Sequence, residues 1–439
     1  MTTLVLAIAL ATLDTAIANT ALPTIAADLR ASADQAIWII NAYQLAMVAT
    51  LLPLAAWGDV IGLRPVYVGG LLLFTLASLG CGLAESLPTL TAARVLQGVG
   101  AAGILSVTNA LIRFIHPADR LGRAQGVNAL TVAVFFAVGP TVASAVLSIA
   151  DWPWLFLINI PAGLAAALLA LRTIPANRQP VAHRFDLVAA LLLAGMFGLL
   201  ILGLGEAAHR TGVLRSAGPL LGSVACCGIL LVRQRSHPAP LFPVDLFRRP
   251  VFALSVATSV CSYAAQGLAF VSLPFLFQNV LGRSLVETGL LMTPWPVLVA
   301  IAAPVAGRLS DRHPVAMLSG AGLLVLSLGM ALLAAMPDQP GLADISWRLA
   351  VCGAGFGFFQ SPNLKALMAS APRERSGAAS GLIPTARLIG QAGGAALVAA
   401  CFSWAGEPGA VLALWLGAGF AAIASVASVL RRTAPSSAR

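Results

Sequence analysis

Apolar stretches of about 20 residues recur along the whole chain, and a stretch of that length crosses a bilayer as one helix. Of the 439 residues, 59% are hydrophobic and 10% are charged, which leaves too little polar surface to cover a soluble protein of this size. The sequence therefore predicts an all-α polytopic membrane protein. Its fourteen predicted spans are 4–26, 36–57, 66–84, 89–112, 124–148, 153–172, 186–205, 214–232, 251–278, 287–308, 314–336, 347–369, 378–402 and 409–430.

Basic residues are distributed unevenly between the loops on the two sides. Nineteen of the 26 Lys and Arg residues fall in one set of alternate loops and the C-terminal tail, five fall in the opposite set, and two lie within spans. Because cytoplasmic loops are enriched in Lys and Arg, both termini are predicted to be cytoplasmic, with the protein in the inner membrane of a bacterium. The spread of this charge over short loops argues against nucleic-acid binding. The start MTTLVLAIAL has no basic segment before the first span, so no cleavable signal peptide is predicted, and a longer native N-terminus remains open.

The first six and the last six spans share an internal repeat. LAAWGD corresponds to VAGRLSD at a shift of 252, RVLQGVGAAG to RLAVCGAGFG at 254, and RLGRAQGVNAL to RSGAASGLIPT at 255. Three matches in order at a nearly constant shift predict a duplicated six-helix unit, and transporters place a substrate site between such repeats. The predicted divisions are an N-terminal six-helix bundle at 1–172, a linker with two additional spans at 173–250, a C-terminal six-helix bundle at 251–431 and a cytoplasmic tail at 432–439.

An acidic residue occupies the first span, in the segment LDTAIANTALPTIAADL of residues 13–29. An acid inside a membrane costs about 2.5–3.5 kcal/mol on insertion scales, so its presence points to a function. Removal from water favours the neutral form of a carboxyl group. Asp14 is therefore a candidate for binding and releasing a proton, with Asn19 as a further polar group on the same helix. The alternative is a structural role in which Asp14 only bonds a neighbouring helix.

Both arginines that lie inside spans have an amide residue on the same helical face. Arg94 is followed by Gln97, and Arg387 by Gln391, at spacings of three and four residues. Because an arginine stays charged in a protein, within a membrane it needs a polar cavity or a partner. For Arg94 both anchoring and function remain open. For Arg387 the alternatives are a structural contact and the binding of an anionic group of the substrate.

Two loops that correspond in the repeat combine glycine with charged residues and are candidates for a conformational switch. In WGDVIGLRP the glycine permits a tight turn, and the acid can accept a hydrogen bond from a neighbouring helix end or an arginine. GRLSDRHP repeats the pattern in the second half. The candidate switch residues are Asp59, Gly62, Arg64, Gly307, Asp311 and Arg312.

A proline motif, VGPTVAS, lies in the fifth span, where Pro140 follows Gly139 and can kink the helix. With the motifs above, it resembles the major facilitator superfamily, and specifically the fourteen-helix branch of drug:proton antiporters that confer quaternary ammonium or methyl viologen resistance. The resemblance covers essentially the whole chain. It implies two six-helix bundles with two extra helices between them, a proton-coupling acid at Asp14 tuned by Arg94, and loops that govern alternating access. It also implies antiport from Gly139 and Pro140, although the motif usually has two glycines where this chain has Ala-Ser.

The sequence favours transport over catalysis. None of its five histidines and six cysteines has metal-ligand spacing, and it contains no phosphate-binding GK[ST] loop, so an enzyme, an ATP-driven pump, a cofactor and a metal are not expected. Protons are the expected coupling ion. The expected substrates are amphipathic drugs or antiseptics, with cations preferred because aromatic faces bind them well. An endogenous anionic, zwitterionic or amino-acid-like metabolite is the alternative. The lipid bilayer is the only other partner expected, and the protein is predicted to be a monomer.

Overall fold

A computed structural model describes residues 2–115, 121–175, 186–208, 213–234, 244–337, 339–370 and 376–432. Within these ranges all regular elements are helical. The chain divides into two compact units, of which the first runs from Met1 to Leu241, apart from residues 208–210, and the second comprises the remainder. The prediction of an all-α protein is confirmed for the described residues, whereas the predicted divisions at residues 172, 250 and 431 stay a prediction.

The first unit consists largely of long apolar helices. Its helices in the described ranges are α1 (Thr2–Asp28), α2 (Ala33–Ala36), α3 (Trp38–Ile61), α4 (Leu63–Gly82), α5 (Leu87–Ile115), α6 (Leu121–Leu147), α7 (Trp154–Leu157), α8 (Asn159–Thr173), α9 (Leu187–Ala208) and α10 (Val213–Gln234). Packing within the unit pairs α1 with α6 and α8, and α5 with α3 and α4.

The second unit has the same character. Its helices in the described ranges are α11 (Val244–Phe247), α12 (Pro250–Phe275), α13 (Leu285–Met292), α14 (Pro294–Leu309), α15 (Val315–Ala334), α16 (Leu342–Ser370), α17 (Ser376–Ala405) and α18 (Gly409–Leu430). A π-helical turn at Leu276–Val280 extends α12. Within this unit α16 packs on α14 and α15, and α12 on α17 and α18.

Twelve spans in the described residues are long and apolar enough to cross a membrane, six in each unit. They coincide with twelve of the predicted spans, so the multi-pass prediction is confirmed. The two remaining predictions, 186–205 and 214–232, fall on α9 and α10. The described apolar parts of these helices are shorter, Leu187–Leu200 and Ala217–Arg233, so the count of fourteen stays a prediction.

Several predicted spans contain helix breaks that periodicity did not reveal. The span predicted at 287–308 is divided into α13 and α14 at Thr293, because Pro294 has no N–H with which to continue the helical ladder. The start of α13 is fixed by a capping box: the Ser284 hydroxyl accepts from the Glu287 amide at 3.2 Å, and the Glu287 carboxylate accepts from the Ser284 amide at 2.9 Å.

The two units repeat the same close helix contacts. A Cβ atom added to Gly98 would lie 2.3 Å from the carbonyl oxygen of Tyr43, and one added to Gly353 would lie 2.2 Å from that of Trp295. Only glycine fits at either position, because the main chain of the neighbouring helix occupies the space. Positions 43 and 295 differ by 252 and positions 98 and 353 by 255, within the range of shifts that relates the two halves of the sequence.

The next pair of helices shows the same correspondence. A Cβ on Gly100 would lie 2.5 Å from the backbone nitrogen of Phe74, and one on Gly355 would lie 2.4 Å from that of Leu326. The α4–α5 contact of the first unit is therefore reproduced by the α15–α16 contact of the second. The helix packing, and not only the sequence, is duplicated.

Candidate functional site

A buried ion pair lies at the centre of the first unit. Asp14 is near the middle of α1, and Arg94 is on α5; both side chains are 1% exposed. Arg94 Nη1 donates a hydrogen bond to Asp14 Oδ2 at 2.5 Å. The structure thus brings together the two charges that the sequence places inside the first and fourth spans, and each partner offsets the cost of burying the other.

Two amides complete the coordination of the carboxylate. Gln97 Nε2 donates to Asp14 Oδ1 at 2.8 Å, and Asn159 Nδ2 donates to the same oxygen at 2.9 Å. All three described partners of Asp14 are donors, which is the arrangement that satisfies an ionised carboxylate. Helices α1, α5 and α8 therefore meet at one anion.

Gln97 also connects this pair to α4. Its Oε1 accepts from Arg94 Nη1 at 2.6 Å, and its Nε2 donates to Ser78 Oγ at 2.9 Å. The thiol of Cys81 donates to the same Oε1 at 3.5 Å. Each polar atom of the Gln97 amide has a partner, so the network fixes the side chain in one orientation.

The guanidinium of Arg94 makes further contacts with α3 and α7. Its Nε donates to the carbonyl oxygen of Ile39 at 3.3 Å. Its Cζ atom lies 4.1 Å from the ring centroid of Tyr43 and 5.6 Å from that of Phe156, distances at which a cation is attracted by the face of an aromatic ring. The positive charge is thus stabilised by one carboxylate, one main-chain carbonyl, the Gln97 amide oxygen and two rings.

Close helix contacts position this network. The Gly98 contact with Tyr43 holds α5 against α3, one residue after Gln97. Gly139 likewise allows α6 to pack closely against α1. A Cβ at this position would lie 2.3 Å from the Cβ of Ala16, two residues after Asp14. Gly139 and Pro140 therefore lie where α6 packs on the helix that carries the acid, and their role in antiport stays a prediction.

Not every sequence candidate of the first half joins the network. Asn19 is buried on α1, but its Oδ1 has no hydrogen-bond partner among the described residues. Asn159 and Ser78, by contrast, belong to the network and were missed by sequence reasoning. Both are single uncharged polar residues in apolar helices, a pattern that does not distinguish a ligand of Asp14 from an ordinary helix residue.

The candidates of the second half lie on α17. Gln391 Nε2 donates to Gln266 Oε1 at 3.0 Å. The Cζ atom of Arg387 lies 6.0 Å from the ring centroid of Tyr263, at the outer limit of a cation–π contact. Within the described part of the chain Arg387 has no ion pair and no hydrogen bond, so its chemistry differs from that of Arg94.

The first candidate switch loop makes one contact across its unit. Gly62 has φ 102°, a conformation that favours glycine, and it separates α3 from α4. The guanidinium of Arg64 donates through Nη2 to the carbonyl oxygen of Leu171 near the end of α8. The side chain of Asp59 lies outside the described residues. Of the two charged residues of this candidate switch, the structure therefore describes the side chain of Arg64 only.

The second loop holds an ion pair. Lys365 Nζ on α16 lies 2.6 Å from Asp311 Oδ1 and donates to the carbonyl oxygen of Ser310 at 2.9 Å. This joins the C-terminal end of α14 to α16. Gly307 makes only ordinary contacts with α16, and Arg312 is exposed. The switch role of both loops stays a prediction.

Several curated proteins are similar to the chain over most of its length. "Uncharacterized transporter YebQ" of Escherichia coli (strain K12) is 50% identical over 436 residues, which cover 99% of this chain and 95% of that protein. "Riboflavin transporter RibZ" of Clostridioides difficile (strain 630) is 30% identical, covering 90% and 86%. "Multidrug resistance protein Stp" of Mycobacterium tuberculosis (strain ATCC 25618 / H37Rv) is 32% identical, covering 92% and 74%.

A solved structure shares the fold. The crystal structure of a bacterial homologue of the human lysosomal transporter Spinster, inward-facing and unoccupied, superimposes with a TM-score of 0.70 at 17% identity and covers 98% of this chain and 96% of that one. The family model of the Major Facilitator Superfamily matches residues 4–395. The chain is therefore a multi-pass membrane transporter, not an enzyme, and it belongs to the Major Facilitator Superfamily.

Proposed function

We propose that this protein is a proton-coupled exporter of amphipathic organic molecules, of the drug:proton antiporter type, in the inner membrane of a bacterium. The names of two relatives support this class, since one is a multidrug resistance protein and another a riboflavin transporter. With α9 and α10 as additional spans the chain would have fourteen, as in the antiporter branch. Both termini would then be cytoplasmic, in agreement with the loop charges. No resident cofactor is required, because the proton gradient supplies the energy.

The buried pair of Asp14 and Arg94 is the observation that carries the proposal. A fully buried ion pair contributes little net stability compared with apolar residues of similar size, because desolvation offsets the attraction. Its presence inside a membrane helix bundle is better accounted for by a function that needs the charge. A carboxyl group that changes partners can bind a proton from one side of the membrane and release it on the other.

The described geometry corresponds to the deprotonated state of this cycle. Asp14 accepts three hydrogen bonds, one of them from a guanidinium, and these donors stabilise the ionised carboxylate. We take separation of Arg94 from Asp14 as the step that admits the proton. Gln97 bonds both partners and would be displaced in the same step. Proton binding is thereby linked to a movement of α5 relative to α1.

A transport assay tests this proposal. Everted membrane vesicles with an acidic interior are loaded with ethidium or with 2-naphthoate, a cationic and an anionic aromatic probe, and uptake is compared before and after the pH gradient is collapsed. The wild type is expected to take up at least one probe only while the gradient lasts, and Asp14→Asn to lose that dependence.

The matched control is Asp28→Asn, which makes the same chemical change on the same helix. Asp28 lies at the exposed end of α1, where Oδ2 accepts from Trp152 Nε1 at 2.7 Å. This variant should retain gradient-driven uptake. Full gradient-driven uptake by Asp14→Asn, or loss of uptake in both variants alike, would contradict the assignment of the coupling proton to Asp14.

A further inference from the structure

A second polar cluster lies in the other unit, where α12 and α17 pack with almost no space between their main chains. A Cβ on Gly390 would lie 2.4 Å from the carbonyl oxygen of Val260, and one on Gly394 would lie 2.4 Å from that of Ala264. This close approach places one amide from each helix in contact, through the hydrogen bond from Gln391 to Gln266. The remaining polar atoms of these amides, Gln391 Oε1 and Gln266 Nε2, make no hydrogen bond within the described part of the chain.

Arg387 belongs to the same face of α17 as Gln391, one helical turn away. It lies 11 residues after the first residue of α17 and 18 before the last, well inside the membrane-spanning helix. The side chain is half-buried, and its Nε atom is fully buried without a hydrogen-bond partner. A guanidinium has five N–H donors, and among the described residues none of those of Arg387 is used.

Arg431, the other buried arginine of this unit, is an example of an arginine with a structural role. Arg431, immediately after α18, donates through Nη1 to Asn363 Oδ1 at 2.7 Å and to Ser255 Oγ at 3.0 Å. Its Nε donates to the carbonyl oxygen of Ser428 at 3.2 Å, and burial lowers the pKa of Arg431 to about 10. Its Nη2 donates to the hydroxyl of Ser428, so each nitrogen of this guanidinium has an acceptor. Arg431 therefore holds helices together, whereas Arg387 makes no hydrogen bond among the described residues.

Among the acidic residues of this unit whose side chains are described, none is available to Arg387. They are committed or exposed: Glu287 caps α13, Asp311 pairs with Lys365, Asp344 pairs with Arg348, and Glu407 is exposed in the turn before α18. A positive charge held inside a membrane span without a partner is costly. An anion that arrives from outside the chain would remove that cost.

The ring beside Arg387 is held rigidly. Tyr263 makes edge-to-face contacts with Phe356 and Phe359 at centroid distances of 5.4 and 6.4 Å, and its hydroxyl accepts from Gln360 Nε2 at 3.3 Å. Both phenylalanines are 1% exposed, so they support the tyrosine and are not themselves open to a ligand. A fixed aromatic ring therefore lies beside a guanidinium that makes no hydrogen bond within the described part of the chain.

We propose that Arg387, Tyr263, Gln266 and Gln391 form a binding subsite for the anionic group of an aromatic organic anion, with a carboxylate as the best fit. The carboxylate accepts from the guanidinium in the two-bond geometry that arginine favours, and the free amide ends of the two glutamines bond polar groups beside it. The aromatic body lies against Tyr263. In so far as the bound anion is the exported substrate, this inference rests on the proposed function.

The charges of the described residues favour an anion over the cation expected from the sequence. Among the acidic residues whose side chains the structure describes, Asp14 is the only one that is fully buried, and its charge is already balanced by Arg94. A cationic drug would have to displace that arginine. An anion can bind Arg387 directly, because no described acidic side chain has to leave it first.

Three naphthalenes that differ only in their charged group provide the test. Binding of 2-naphthoate, 2-naphthalenemethanol and 2-naphthylmethylammonium to the purified full chain is measured by naphthalene fluorescence in nanodiscs of neutral phosphatidylcholine, with no pH gradient. We expect the order naphthoate, alcohol, ammonium, with about a tenfold advantage for the anion from its charge-assisted bonds. Equal affinities, or tighter binding of the ammonium, would overturn the proposal without any variant.

Variants then locate the subsite. Arg387→Gln should lose about tenfold in naphthoate affinity and leave the binding of the alcohol unchanged, while Arg387→Lys should recover part of the loss because it keeps the charge but not the paired donors. The matched control is Arg432→Gln, which removes one positive charge at an exposed position. Elution volume and thermal midpoint show whether the Arg387→Gln protein is folded. If the folded variant still prefers the anion as the wild type does, the anion binds elsewhere.

Binding of 2-naphthoate and gradient-driven uptake can fail independently of each other. Asp14→Asn should abolish gradient-driven uptake yet bind 2-naphthoate with wild-type affinity, because binding needs no proton cycle. If binding follows the charge series while no gradient-driven transport occurs, the anion subsite stands and proton-coupled export fails. If gradient-driven transport occurs but 2-naphthoate shows no dependence on Arg387, the reverse holds.

Discussion

Asn159 donates from Nδ2 to Asp14 Oδ1 at 2.9 Å although 145 residues of sequence separate the two. This bond places α8 in direct contact with the acid on α1. It also supplies a neutral donor that can be removed without leaving an unpaired charge, since Arg94 and Gln97 remain. A substitution on another helix can therefore change the hydrogen bonding of Asp14 while its ion pair stays in place.

Replacing Asn159 by leucine should destabilise the first unit. The substitution keeps a side chain of similar size but removes one of the three donors to the buried Asp14 carboxylate. A hydrogen bond to a charged group is worth about 1.5–3 kcal/mol, so we expect the free energy of unfolding to fall by that amount. Unfolding in mixed micelles with increasing dodecyl sulfate measures it. Ser148→Ala, at an exposed position one residue after α6, is the control, and an Asn159→Leu protein as stable as the wild type would contradict the role given to Asn159.

A double-mutant cycle on Asp14 and Arg94 should show strong coupling. Arg94→Gln leaves a buried carboxylate without its cation and should destabilise the protein by about 3–5 kcal/mol, whereas Asp14→Asn with Arg94→Gln should cost less than the sum of the single changes. Unfolding in mixed micelles with increasing dodecyl sulfate provides the stabilities. Additive losses would show that the two side chains do not depend on each other.

Alanine at Gly98 should be disruptive, because its Cβ would lie 2.3 Å from the Tyr43 carbonyl oxygen and the backbone of α3 cannot move independently. We expect a loss of about 1–3 kcal/mol and a lower folded yield. The matched control is Gly69→Ala on α4, where a Cβ meets nothing within 4 Å. That variant should be neutral or slightly stabilising, by up to about 1 kcal/mol. Comparable losses in both would assign the effect to helix propensity instead of close packing.

The pair formed by Asp311 and Lys365 should matter for turnover more than for stability. Both side chains are largely exposed, at 72% and 45%, and such pairs contribute about 0–1 kcal/mol. If this loop is a switch, Asp311→Asn and Lys365→Gln should each change the uptake rate several-fold while the thermal midpoint stays close to that of the wild type. Glu407→Gln, an exposed acid on the loop before α18, is the control. Unchanged uptake in both pair variants would remove the loop from the mechanism.

The spans could be predicted from the sequence because length and hydropathy alone decide whether a helix fits a bilayer. Twelve of the fourteen predicted spans correspond to helices long and apolar enough to cross, whereas α9 and α10 are described over shorter apolar parts. The break between α13 and α14 was not predicted, since apolar composition continues through Pro294 and only the missing N–H interrupts the helix.

The charged members of the candidate site could also be predicted, because Asp14 and Arg94 are costly inside apolar spans and so stand out. Their partners could not. Asn159 and Ser78 are polar residues of a kind that membrane helices tolerate, and their roles follow from helix packing across the unit. The amide pair of Gln266 and Gln391 depends likewise on how closely glycines allow α12 and α17 to approach. Spacing along one helix predicts a shared face but not the helix that faces it.

The repeated glycine contacts have a consequence for how such a protein can diversify. Because Gly98 and Gly353 meet main-chain atoms, the spacing of the helices does not depend on which polar side chains lie nearby. One copy of the ancestral unit could therefore acquire an acid and a paired arginine while the other acquired an unpaired arginine and amides, without any change of scaffold. Under the proposed function, specificity can therefore evolve in one half while the acid and the paired arginine of the other half stay unchanged.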